Sequence, residues 1–185
     1  MKPIILDRDG VINHDSDEFI KSPEEWQPIK GSSEAIARLT QAGYSVIVLS
    51  NQSGVGRKLF SADILSQIHV HMVSQIQQAG GQIHSILFCP HHPDDGCGCR
   101  KPNTGMYQEL ANRLNIGFSG IYSVGDSMRD LLAAHRAGAT PVLVKTGNGK
   151  QTAKLLTKHE ELGDRKVAVR ASLAAFTDAL LNSAA

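Results

Sequence analysis

The chain has 185 residues and a net charge of +1, with 41% apolar and 20% charged residues, as in ordinary globular proteins. This length favours one domain, spanning residues 1–185, with a sizeable buried core. The near-zero charge gives no field for holding nucleic acid or an anionic membrane, and no apolar stretch approaches the roughly 20 residues of a membrane helix. Because the N-terminus also lacks the pattern of a signal peptide, we expect a cytoplasmic protein. We further expect a monomer without a nucleic-acid or membrane partner.

Strand and helix patterns alternate along the chain. Short apolar runs predict strands at residues 4–6, 44–49, 83–88, 121–124 and 141–144. Three-to-four spacing of apolar residues and glycine stops predict helices at residues 32–42, 61–79, 105–114 and 128–137. Two further helices are expected around a short segment at residues 167–169. This alternation predicts a doubly wound, parallel α/β sheet with helices on both faces, and leaves no room for a large cap domain.

Polar motifs follow three of the predicted strands. Asp7 and Asp9 come after the first strand, Ser50-Asn51-Gln52 ends the second, and the Gly125–Asp130 segment follows the fourth. A fourth motif, Arg100-Lys101-Pro102, precedes a helix. Because ligands bind beyond the carboxyl ends of parallel strands, these groups should meet at one crevice. Carboxylates and an ammonium around one point suit Mg²⁺ and a phosphate.

Three cysteines, Cys89, Cys97 and Cys99, are crowded into a short loop at residues 89–99. Their odd number and clustering argue against a disulfide framework. Together with His91 they form the Cys₃His donor set of structural Zn²⁺ sites, with His92 as the competing imidazole. The ion is expected to rigidify the loop that leads into Arg100 and Lys101.

The four motifs, in this order and on these elements, resemble those of the haloacid dehalogenase superfamily of phosphotransferases. The resemblance implies a haloacid-dehalogenase-like fold and an aspartyl-phosphate mechanism, with Asp7 as nucleophile and Asp9 as acid and base. Ser50 and Lys101 would steady the transferring phosphoryl group. In this family Mg²⁺ is held by positions matching Asp7, the backbone carbonyl of Asp9, and Asp126. Asp130 would orient the metal waters or Lys101.

The segments around these motifs and the cysteine loop look like one branch of that superfamily. This branch contains heptose-bisphosphate phosphatases, which serve ADP-heptose supply for bacterial envelope glycans, and histidinol-phosphatase domains. The compact length and the loop at residues 52–57 favour the heptose side of this branch. The resemblance then implies a small phosphorylated sugar as substrate, a heptose 1,7-bisphosphate that loses its 7-phosphate, with histidinol phosphate or another small phosphate as the alternative. The residues expected to contact substrate are Arg8, Asp15, Ser16, Asp17, Glu18, Asn51, Gln52, Ser53 and Arg100.

Two positions depart from the pattern of this branch. Ser127 stands where relatives often have lysine, and Lys58 stands where glycine is frequent.

Two other functions compete with this interpretation. A DNA 3′-phosphatase has a similar catalytic motif, but the near-neutral charge argues against a DNA groove. A receiver-like signalling domain is also doubly wound, but it carries its phospho-accepting aspartate after the third strand, where this chain has Cys89.

Overall fold

The computed structural model describes residues 1–162 and 167–183. Within these ranges the strands are β1 Lys2–Leu6, β2 Tyr44–Asn51, β3 Ile83–Cys89, β4 Tyr122–Gly125, β5 Thr140–Val144 and β6 Ala168–Arg170. The helices are α1 Ser32–Gln41, α2 Ser53–Gly56, α3 Ala62–Gln78, α4 Gly105–Leu114, α5 Met128–Arg136, α6 Gly149–Leu156 and α7 Leu173–Asn182. Residues 163–166 and 184–185 of the predicted domain lie outside the described residues.

The strands form one sheet in the order β3-β2-β1-β4-β5-β6, and every neighbouring pair is parallel. The chain starts at the centre, winds outward to β3, and returns to place β4 beside β1. The register pairs Leu6 with Val124, so the residues after β1 and β4 leave the sheet at the same level. This reversal of winding is where open α/β sheets bind ligands.

Alternation along the strands divides the core between the two faces of the sheet. Ile4 and Leu6 pack on the face covered by α1, α3 and α7, whereas Ile5 points to the face covered by α4 and α5. These three side chains are at most 1% exposed. Burial of each aliphatic side chain contributes about 1.5–3 kcal/mol, so β1 is fixed firmly at the centre of the fold. The predicted doubly wound fold, with helices on both faces, is confirmed.

The structure differs from the predicted elements in local detail. Residues 53–56, for which the sequence predicted neither helix nor strand, form the short helix α2. The short segment predicted between the last two helices is the edge strand β6, which pairs with β5. None of the helices in the described part of the chain combines the length and apolar character needed to cross a membrane.

Candidate active site

The carboxyl ends of β1, β2 and β4 open into a cavity of about 310 Å³. The site is built by the loops that follow these strands, together with the segment entering α4. The cavity is lined by Asp7, Arg8, Asp9, Asp15, Ser16, Asp17, Phe19, Ile20, Ser50, Asn51, Gln52, Ser53, Arg57, Pro93, Arg100, Lys101, Asp126, Ser127, Arg129, Asp130 and Asn148.

Lys101 is the cation nearest to the predicted nucleophile. Its side chain is 3% exposed, and its Nζ lies 2.8 Å from Asp7 Oδ1 and 2.7 Å from Asp130 Oδ1. Nζ also donates to the carbonyl oxygen of Leu49 at 2.7 Å. Burial by itself would lower the pKa of Lys101, but Asp130 and Asp7 outweigh it and hold that pKa above the usual range of lysine. The ammonium is therefore a permanent charge beside Asp7.

Asp7, Asp126 and Asp130 each place a carboxylate oxygen within 4.8 Å of the others. Burial, reinforced by the neighbouring carboxylates, raises the pKa of Asp126 to about 8; burial, partly opposed by Lys101, raises that of Asp7 to about 7. One ammonium does not balance three carboxylates, so the site favours an added cation. Hard oxygen donors with excess negative charge fit Mg²⁺.

Two glycines make room for Asp126. A Cβ on Gly10 would lie 2.1 Å from Asp126 Oδ2, and one on Gly147 would lie 2.2 Å from the same oxygen. Both glycines have positive φ, of 77° and 52°. Larger residues would therefore be excluded by contact and by backbone conformation. Asp126 Oδ2 accepts hydrogen bonds from the backbone N–H of Asn148, at 2.7 Å, and from its side-chain amide, at 3.4 Å.

The side chain of Asp9 does not belong to the cluster of Asp7, Asp126 and Asp130. Three neighbouring side chains hold it in place. Arg8 forms a two-pronged ion pair with it, and Asn13 Nδ2 and Gln52 Nε2 each donate to it at 2.8 Å. Gln52 Nε2 also donates to Ser50 Oγ at 2.7 Å. Because Ser50 Oγ accepts this bond, its own hydroxyl proton is free for an oxygen in the cavity. The predicted Mg²⁺ contact of Asp9 is through its backbone carbonyl, which these bonds do not involve.

The predicted substrate contacts occupy different places around the cavity. Asn51 forms a two-bond bridge to the backbone of Lys101, with its Nδ2 3.1 Å from the carbonyl oxygen and its Oδ1 3.0 Å from the amide nitrogen. This bridge fixes the loop that carries Lys101. Glu18 does not line the cavity, and its backbone N–H donates to Ser16 Oγ. The other predicted contacts line the cavity and remain predictions.

Asp130 and Ser127 are joined at the start of α5. Asp130 Oδ2 accepts from the backbone N–H of Ser127 at 3.0 Å and from its hydroxyl at 2.5 Å. This capping contact orients Asp130 toward Lys101.

Lys58, the other position where the sequence differs from the pattern of the branch, has a φ of 59°. Glycine, which is frequent there among relatives, adopts this conformation more easily than lysine.

Three residues that line the cavity had no role predicted from the sequence: Arg57, Arg129 and Asn148. Arg129 lies within the Gly125–Asp130 motif and Arg57 lies a few residues after the Ser50–Gln52 motif, so their positions along the chain were a usable signal. Asn148 follows β5, and the rule that parallel strands deliver functional residues at their carboxyl ends would have indicated it.

Cys89, His91, Cys97 and Cys99 form a second cluster of ligand atoms. Their Sγ–Sγ separations are 3.2–3.6 Å, and His91 Nδ1 lies 3.5 Å from Cys89 Sγ and 3.2 Å from Cys99 Sγ. A tetrahedral Zn²⁺ with bonds of about 2.3 Å to sulfur and about 2.0 Å to nitrogen separates its ligands by roughly 3.5–3.8 Å. The donor set therefore fits Zn²⁺. His92 instead accepts from the backbone N–H of Asp94 and caps a 3₁₀ turn.

Replacing Cys99 by serine should remove stoichiometric zinc and leave the sheet folded. Because Arg100 and Lys101 follow directly, we expect kcat/KM to fall by about 10²-fold, the cost of slightly displacing catalytic groups. Zinc content, far-UV circular dichroism and kcat/KM measure these effects. His92→Ala is the matched control and should retain zinc. A zinc-free Cys99→Ser protein with unchanged kcat/KM would contradict a role for the ion in organising the site.

The raised carboxyl pKa values predict how Mg²⁺ affects thermal stability. In the unfolded chain Asp7 and Asp126 titrate near 3.8, whereas in the fold their pKa values are about 7 and about 8. The folded state thus retains protons that the unfolded state has released, so this contribution to stability is complete below pH about 4 and is lost as the pH rises to about 8. Bound Mg²⁺ would replace those protons. The increase in Tm on adding Mg²⁺ should therefore grow, by a few °C, between pH 5 and 8.

Differential scanning fluorimetry with and without Mg²⁺, at a series of pH values, measures that increase. In Asp126→Asn it should be small at every pH, because a neutral amide is a poor ligand and does not titrate. A Tm increase that is equal at pH 5 and pH 8 in the unsubstituted protein would contradict the assignment of these carboxylates as the cation site.

Comparison with known proteins agrees with this geometry. A HAD-hydrolase-like family model matches residues 98–174. The chain is 55% identical over 152 residues to a D-glycero-beta-D-manno-heptose-1,7-bisphosphate 7-phosphatase of Bordetella bronchiseptica, covering 82% of this chain and 85% of that protein. A protein of the same name from Neisseria meningitidis is 53% identical, with coverage of 82% and 81%.

A solved structure supports the same relationship over nearly the whole chain. It is the D,D-heptose 1,7-bisphosphate phosphatase from B. bronchiseptica, complexed with magnesium and phosphate, with a TM-score of 0.93, 49% identity, and coverage of 99% of both chains. The resemblance found in the sequence is thereby confirmed, and the protein is a phosphatase. The chain belongs to the D-glycero-beta-D-manno-heptose-1,7-bisphosphate 7-phosphatase family of HAD-like hydrolases.

Proposed function

We propose that this protein removes the 7-phosphate of D-glycero-beta-D-manno-heptose 1,7-bisphosphate through an aspartyl-phosphate intermediate, as a step toward ADP-heptose. The observation that carries the substrate class is the charge pattern of the cavity. The carboxylates of Asp7, Asp126 and Asp130 lie together with Lys101. Besides Arg8, which is paired with Asp9, three arginines line the cavity: Arg57, Arg100 and Arg129. A substrate with two phosphates offers an anion to each of these regions.

Asp7 and Asp9 divide the bond-making steps between them. A carboxylate oxygen of Asp7 forms a bond to phosphorus as the bond from phosphorus to the sugar oxygen breaks. Asp9, in its carboxyl form, gives a proton to the departing sugar oxygen. As a carboxylate, it then takes a proton from the water that cleaves the phosphorus–oxygen bond to Asp7, and this water releases inorganic phosphate.

Lys101 and Ser50 stabilise the transferring phosphoryl group. The buried ammonium beside Asp7 offers positive charge to the phosphoryl oxygens, and the Ser50 hydroxyl donates a hydrogen bond. Both are fixed before the substrate arrives, so little reorganisation is required during transfer. Asp7, Asp126 and the backbone carbonyl of Asp9 would hold Mg²⁺, which when bound neutralises charge on the phosphate oxygens. Asp130 supports Lys101 rather than the substrate.

Arg100 is the arginine best suited to bind the second phosphate. It is partly buried, and its Nη1 is buried without a hydrogen-bond partner among the described residues. Burial and, after it, the positive charge of Arg129 lower the pKa of Arg100. A group in this position gains a hydrogen-bond partner and charge compensation from an anion.

Hydrolysis of heptose 1,7-bisphosphate, heptose 7-phosphate and histidinol phosphate tests the proposal. We expect the bisphosphate to have the highest kcat/KM. Arg100→Met should lower its kcat/KM by about 10- to 100-fold and change that of heptose 7-phosphate much less, because a charge-assisted contact is lost only with the bisphosphate. Arg113→Met, on the exposed surface of α4, is the control. A preference for histidinol phosphate, or equal losses on both sugars, would refute this substrate assignment.

A further inference from the structure

Arg8 is a buried cation in the wall of the cavity. Its side chain is 1% exposed, although it sits between two acidic residues at the centre of the site. From the sequence, Arg8 is expected to contact the substrate. In the structure its Nε and Nη2 both bind the carboxylate of Asp9, at 3.0 Å. The guanidinium is thus occupied on the side that faces Asp9.

The other side of this guanidinium faces α3. Arg8 Nη1 lies 3.4 Å from His69 Nε2, and the contact is buried. His69 is 8% exposed, and its ring packs edge-on against Phe88 with centroids 5.6 Å apart. Because a guanidinium has donors and no acceptor, His69 Nε2 must accept this hydrogen bond, and the ring proton must sit on Nδ1.

The electrostatics of His69 agree with an acceptor role. Burial and, after it, the positive charge of Arg8 lower the pKa of His69 to about 4. The imidazole is therefore neutral at physiological pH, and its Nε2 lone pair is available. A protonated ring would instead place two cations in contact in a buried site, which is costly.

We propose that His69 is a positioning residue for the phosphatase reaction, holding the Arg8 guanidinium so that the fork of Arg8 aims the Asp9 carboxyl at the leaving-group oxygen. The inference rests on the proposed acid role of Asp9. Removing His69 leaves the buried Nη1 of Arg8 without this acceptor, and a guanidinium in that state reorients toward any acceptor it can reach. Asp9 then loses the rigid contact that sets its direction.

The leaving group gives a readout that a general loss of stability does not produce. A sugar alkoxide needs a proton as it departs, whereas p-nitrophenolate leaves without one. The value of kcat/KM covers only the steps up to alcohol release, so it reports the step in which Asp9 acts as an acid. His69→Leu should lower kcat/KM for the heptose bisphosphate by about tenfold or more and for p-nitrophenyl phosphate by less than about threefold.

Two further variants on the same helix sharpen this comparison. His69→Gln should restore most of the activity on the sugar, because the end of a glutamine side chain reaches the position of Nε2 and its oxygen accepts from Arg8. His71→Leu is the matched control: His71 packs edge-on against Trp26 and should show no selective loss. Equal losses on both substrates in His69→Leu, or no recovery in His69→Gln, would overturn the proposal.

A spectroscopic measurement decides the contact independently of activity. ¹⁵N NMR of the imidazole in the whole protein should show His69 neutral, with its proton on Nδ1, between pH 6 and 8. In Arg8→Met this single tautomer should be lost. A proton on Nε2 in the unsubstituted protein would overturn the inference. If the unsubstituted protein hydrolysed none of the sugar phosphates or histidinol phosphate, the proposed function would be refuted. The tautomer of His69 would still decide whether His69 accepts a hydrogen bond from Arg8.

Discussion

Asp7→Asn should abolish turnover of every phosphate substrate. An amide at this position cannot form the acyl phosphate, so the covalent route is closed rather than slowed. The substitution should not unfold the protein, because Asn is nearly isosteric and removes a carboxylate whose pKa is raised by burial. Steady-state phosphate release, with substrate binding and Tm measured on the same sample, tests this expectation.

Asp63→Asn is the matched control for this loss. Asp63 lies in the first turn of α3, is exposed, and should tolerate the same chemical change with unchanged turnover. Trapping of ³²P on the protein in an acid quench should be seen with the unsubstituted chain and not with Asp7→Asn. Near-normal turnover by a folded Asp7→Asn protein would rule out the covalent mechanism.

Lys101→Met should damage both catalysis and stability. The buried ammonium lies between Asp7 and Asp130, so its removal leaves two carboxylates facing each other without compensation. Removing one partner of a buried ion pair typically costs about 3–5 kcal/mol. Loss of a preorganised charge at the transferring phosphoryl group should lower kcat by about 10²- to 10³-fold. Chemical denaturation and kinetics at saturating Mg²⁺ measure the two effects.

The double variant Lys101→Met/Asp130→Asn separates these contributions. Removing the second charge should restore part of the lost stability, since one source of repulsion disappears, while kcat should stay low. Lys154→Met, an exposed lysine on α6, provides the control for a simple loss of positive charge. Recovery of kcat in the double variant would show that Lys101 acts through stability and not on the phosphoryl group.

The architecture followed from periodicity, because the central strands of this sheet are short apolar runs and the long helices each have a buried stripe. Element boundaries were less predictable. The short helix α2 has two glycines among its four residues, which local propensity does not favour. It is held by tertiary bonds, including one from the Gly56 N–H to the carbonyl oxygen of Pro90. Contacts of this kind cannot be inferred from a local pattern.

The meeting of side chains in the candidate site was predictable where it depends on position along a strand, and not where it depends on side-chain direction. Asp7 and Asp126, which follow parallel strands, lie close together as expected, and Lys101 lies beside Asp7. The contact of Arg8 with His69 joins residues 61 positions apart, and no local pattern predicts it. Asn51 likewise bonds to the backbone of Lys101, which no motif indicates.

Because β3 is an edge strand, the proposed zinc site should affect local unfolding at its end. β3 is bonded to β2 on one side, and its last residue, Cys89, is opposite Asn51 in the register. Ends of edge strands are the first parts of a sheet to open in local unfolding. An ion shared by Cys89 and the loop before α4 would link the end of β3 to that loop. The hydrogen bonds of Asn51 to the backbone of Lys101 link the same loop to the end of β2. Zinc would thus slow amide hydrogen exchange at the end of β3 far more than at β1, whose two neighbours already protect it.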